Sequence, residues 1–113
     1  MTISYEGAGQ LCVTMRRDED VTAGIPCVVT KNDCVSIADA EDQFAGVVAN
    51  VNGSLASVIV RGFVTVAYSG PNPTAGICKL LADGNGKVMK SDAGRDYLVT
   101  CVDMAGKTVT FLL

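Results

Sequence analysis

A chain of 113 residues has room for one domain with a real core and little room for two independent ones. Hydrophobic residues make up 49% and charged residues 19%, and the mean hydropathy is +0.33, yet no apolar run approaches the roughly 20 residues of a membrane helix. The net charge of -3 without a basic stripe excludes a phosphate backbone as the expected partner, and the absence of histidine removes Ser-His-Asp and Cys-His arrangements and most catalytic zinc sites.

In chain order, the opening "MTISYEGAGQ" lacks the regions of a signal peptide. The expected setting is therefore reducing, with the five cysteines as thiols. "RRDED" at 16–20 reads as a solvated loop that can also serve as a contact rim, with Arg16 and Arg17 as candidate contacts. "TAGI" at 22–25 reads as a lead-in turn, and "KND" at 31–33 as a hairpin turn. Val35 and Ile37 then alternate with Cys34, Ser36 and Ala38.

The stretch "SIADAEDQFAG" at 36–46 is the only helix-compatible one, and its Asp39, Glu41 and Asp42 read as a solvated turn face. A glycosidase pair of acids would need aromatic platforms, and this chain has no tryptophan. Asn52-Gly53 is a strong hairpin signal, because both residues tolerate the positive φ of a type I′ turn. Beyond it the β-branched runs "VIV" and "FVTV" predict strands, and "YSGPNPTAG" at 68–76 is the expected connector between two halves.

"TAGI" returns at 74–77, followed by "ADGNGKV", which fits a hairpin turn better than a calcium loop, since no acid follows at the ligand spacing and the flanks read as strands. "LVTCV" and "TVTF" complete the pattern. Some alternations set apolar residues against apolar ones, as Val109, Phe111 and Leu113 do against Leu112, which implies strands covered on both faces. Cys12, Cys27, Cys34, Cys78 and Cys101 contain no CxxC pair and are expected to pack as small hydrophobes. No metal, cofactor or catalytic constellation is expected.

Aligned on the two "TAGI" copies, with one inserted residue, Val35 falls on Val88, Phe44 on Tyr97 and Gly53 on Gly106. The expected fold is all-β, a small β-barrel or β-sandwich of two similar strand units, at about 22–70 and 74–113, with little or no helix. Residues 10–113 form the single domain and residues 1–9 an arm before it, with an ordinary first strand as the alternative for that stretch. The apolar surplus points to a homo-oligomer.

The run from Val21 to Gly70 resembles small tailed-phage head decoration proteins in its Ala23-Gly24 turn, in Phe44 to Val48 with Ala45 ahead of Gly46, and in Val58 to Val66 around Gly62. The resemblance extends over roughly 10–113, with the five cysteines and the duplication as departures. It implies a non-catalytic capsid accessory protein, often trimeric, that docks on the major capsid protein and stabilises the head. It also implies an N-terminal arm anchored by Ile3 and Tyr5, and residence in the virion or in the host cytoplasm during assembly. A small binding module holding a ligand or peptide in a barrel mouth is the alternative.

Overall fold

The computed structural model describes residues 10–113, and among them it contains ten β-strands and no helix. The first five are β1 (Leu11–Arg17), β2 (Pro26–Lys31), β3 (Cys34–Ile37), β4 (Gly46–Asn52) and β5 (Leu55–Arg61). They close into a barrel in the order β1-β3-β2-β4-β5. The second five are β6 (Phe63–Ser69), β7 (Gly76–Ala82), β8 (Val88–Lys90), β9 (Arg95–Asp103) and β10 (Thr108–Leu112), closed in the order β10-β6-β8-β7-β9. Closure pairs the strand edges that such β-branched runs would otherwise present to other chains.

The two barrels share one topology. In each, the first strand pairs antiparallel with the fifth and parallel with the third: Arg17 lies opposite Val35, and Tyr68 opposite Val88. In each, the fourth strand carries a bulge that leaves one residue unpaired, Ala49 in β4 and Thr100 in β9. A bulge at the same place in both ladders is a shared structural feature that small residues at turns would not produce by chance.

The division falls at Gly62, with β6 in the second sheet, so the structural units are the two runs on either side of that glycine. This corrects the unit boundaries read from the sequence. The "YSGPNPTAG" stretch connects β6 to β7 inside the second barrel, and β1 belongs to the first unit although it precedes "TAGI". Gly62 has φ +113, and a Cβ there would lie 2.9 Å from the Gln10 Cα. Any other residue would be strained at this join.

The cores follow from the alternation. Cys27, Val35, Val48, Ala56 and Val58 point into the first barrel. The second holds larger side chains, including Tyr68, Leu80, Tyr97, Val99 and Phe111, and its cluster continues into Ala38, Phe44 and Val47 of the first half. Phe44 sits on the loop between β3 and β4, the stretch compatible with a helix in sequence. That loop is fastened instead to the end of β7, where the Glu41 amide donates to the Ala82 carbonyl at 2.9 Å and the Ala82 amide to the Asp42 carbonyl at 3.0 Å.

Candidate functional site

Of the contact residues expected from sequence, Ile3 and Tyr5 lie outside the described residues. Arg16 and Arg17 do not lie in a solvated loop; they end strand β1. Successive strand residues face opposite ways, so the two arginines part company. Arg16 is exposed, whereas the Arg17 guanidinium donates to the Gly53 carbonyl at 2.8 Å, the Val21 carbonyl at 2.9 Å and the Glu19 carbonyl at 3.3 Å. Arg17 thus binds the 19–21 turn to the β4–β5 hairpin. Next to it, Asp18 accepts hydrogen bonds from the Ser36 hydroxyl and from the Cys34 thiol at 3.7 Å. The Ser36 hydrogen bond is the main reason that its carboxyl titrates below the ordinary value.

Arg16, Arg17, Lys31, Asn32, Cys34 and Ser54 line a shallow cleft of about 260 Å³ at this end of the first barrel. Arg16 and Lys31 give it positive charge. A second cleft, of about 280 Å³, lies along the seam between the barrels. Arg61 and Arg95 stand on its rim above Phe44, Tyr97 and Leu113, with the Arg95 guanidinium carbon 5.9 Å from the Tyr97 ring centre.

The cysteines divide, which corrects the expectation that they pack as a group. Cys27 and Cys78 are buried, Cys34 is half-buried, and Cys12 and Cys101 sit in strands but face outward. All five are free thiols. Burial pushes the Cys27 thiol up to about 11, which leaves it a poor nucleophile near neutral pH.

The "ADGNGKV" segment is a closed turn. Asp83 accepts from the Ser69 hydroxyl at 2.7 Å and from the amides of Asn85 and Lys87 at 2.7 and 3.1 Å. Its oxygens are taken by the turn itself. Among the described residues no three acids or cysteines stand close enough together to hold a metal ion.

The outside of the second barrel carries an apolar row. Ile77 on β7 lies opposite Leu98 on β9, Leu98 opposite Leu112 on β10, and Leu112 opposite Phe63 on β6. Residues directly opposite in an antiparallel ladder share a face. The first three are exposed and Phe63 is half-buried, so one row crosses four adjacent strands on the outside of the second barrel. Sequence reasoning did not single out this row, although the apolar-against-apolar alternation around Leu112 was its signal.

No family model matches the chain, and no curated protein matches it in sequence.

Proposed function

We propose that this chain is a non-catalytic structural protein of a phage or prophage particle that docks on the capsid surface, as a homotrimer, and stabilises the head. The observation that carries the reading is the outward apolar row of Ile77, Leu98 and Leu112, a surface that suits burial against a sister subunit in an assembly built on contact area. The tandem of closed barrels supports it, since two small closed sheets joined by one strand-to-strand glycine make a compact block. Its resemblance to head decoration proteins names the partner class, the major capsid protein.

Particles induced from the source strain and banded by density test this directly. The expected result is the chain in stoichiometric amount on intact heads, with particles lacking it losing DNA at lower temperature. Particles that carry none of it overturn the reading. A second reading, a small binding module, is favoured by the cleft between Arg16 and Lys31, which suits an anionic group on a ligand or peptide.

A further inference from the structure

The duplication gives every surface of this molecule a twin, and the twins are not equally covered. The first-barrel counterpart of the apolar row runs Pro26, Val47, Ile59, Cys12, with each residue opposite the next in the same ladders. There Val47 is 3% exposed and belongs to the cluster that contains Val64, Tyr97 and Phe111 of the second barrel, with Ile59 packed against it. In the second barrel the three matching positions stand out to solvent, Ile77 at 68%, Leu98 at 41% and Leu112 at 37% exposed, whereas at the fourth position Phe63 is half-buried and its twin Cys12 is exposed. The chain itself therefore shows what covers such a row, namely the end of a neighbouring barrel.

The other half of that contact also has an uncovered twin. Val64 lies opposite Phe111 at the end of the second barrel, where Phe44 stacks on Tyr97 at 5.4 Å and meets Phe111 edge-on at 6.0 Å. Val64 is 5% exposed. Its counterpart in the first barrel, Val13 opposite Val58, points into the barrel and is nevertheless 38% exposed. Among the described residues, one molecule thus presents an uncovered row on one barrel and an uncovered end on the other, the two halves of a contact it already makes internally.

We infer that a second copy of this chain covers the Ile77, Leu98 and Leu112 row with the end of its first barrel around Val13, so that subunits join head to tail. Such a joint is heterologous and repeats until it closes into a ring or runs on as a filament. A row that met its own copy across a two-fold axis would leave the Val13 end bare and has no precedent inside the chain. The ladders match Gly46, opposite Cys27, to Tyr97, opposite Cys78, so Phe44 corresponds to Arg95 and not, as the sequence alignment has it, to Tyr97; with Arg95 in place of that ring the new joint is weaker than the internal one. Resting on the trimer of the proposed function, a ring of three chains would present six similar barrels around one axis.

The test is light scattering on a sizing column over a range of concentrations, with Leu98→Asp and Val13→Asp variants alone and mixed. Both sites are solvent-exposed, and circular dichroism checks that each variant keeps its fold. Wild type is expected above the 11.7 kDa chain mass. Each variant alone is expected as a monomer, and the equimolar mixture as a species of twice the chain mass and no larger, since only one sound joint can form. Leu98→Lys and Val13→Lys should repeat the pattern, as should Ile77→Asp in place of Leu98→Asp. A wild type that stays monomeric at millimolar concentration, a folded Val13→Asp that assembles like wild type, or a mixture that stays monomeric overturns the joint. A chain that assembles in solution but never appears on heads overturns the capsid reading and leaves the joint standing.

Discussion

Arg16 and Arg17 are neighbours in sequence and opposites in the fold, because the pleat of β1 sends one to solvent and the other to three carbonyls of its own chain. Two of those carbonyls are open to water and the third is half-buried, so water replaces part of what the guanidinium supplies and Arg17→Leu is expected to cost about 1 kcal/mol in denaturant unfolding. Arg16→Leu should stay within about 0.5 kcal/mol of wild type. The thiols offer a second check. Iodoacetamide on the native protein, read by mass spectrometry, should modify Cys12 and Cys101 while Cys27 and Cys78 react only on unfolding. Asp83 sets a pH dependence: burial pushes its carboxyl up, but hydrogen bonds from Ser69 and the amides of Asn85 and Lys87 outweigh it and hold the group below its ordinary value. A carboxyl depressed in the fold stabilises fully above its unfolded value and loses that contribution as the pH falls through the folded one. Stability should therefore decline below about pH 5, and Asp83→Asn should flatten part of that decline in acid titrations followed by circular dichroism.

The strands were legible one by one and their partnership was not. β-branched runs and the Asn52-Gly53 turn mark β4, β5 and their hairpin plainly, since both signals are local. The run from Leu55 to Ser69 gives no comparable sign that it crosses from one barrel to the other at Gly62. Alternation continues through that glycine, and which sheet a strand joins depends on pairings far away in sequence, such as β6 with β8. Arg17 and the apolar row were hidden for the same reason: strand alternation separates two faces without saying which face a second barrel covers. Gly46 is a tight point within the first barrel, where β4 runs against β5. A Cβ on it would lie 2.6 Å from the Ile59 carbonyl oxygen and 2.8 Å from a Val58 methyl, and a carbonyl held in a ladder has nowhere to retreat. Gly46→Ala is expected to cost about 1–3 kcal/mol by overpacking. Gly53→Asn, at φ +60 with open space where its Cβ would stand, should remain near wild type in the same unfolding experiment.

Each barrel alone is about half of a small chain, a size at which a single core is marginal. The first is the weaker of the two, with a core of Val, Ala and Cys side chains, whereas the second packs Tyr68, Tyr97, Leu80 and Phe111. What joins them is the aromatic group of Phe44, Tyr97 and Phe111, to which the first half contributes one ring and the second half two. Because Phe44 is buried in the other barrel's core, neither unit can open without exposing apolar surface of its neighbour. The intact chain is therefore expected to melt in one calorimetric transition. Phe44→Ala removes the ring and leaves a cavity against Tyr97 and Phe111, which is expected to cost about 3–5 kcal/mol. The loss should also change the order of events: with the bridge gone, amides of β4 and β5 should exchange with solvent well before those of β9 and β10 in native-state hydrogen exchange. Two separate transitions already present in the wild type would show instead that the barrels stand independently and that Phe44 is a local contact. A single transition in wild type that broadens or splits in Phe44→Ala would mean that the duplicated units became one cooperative molecule through one side chain carried across the seam.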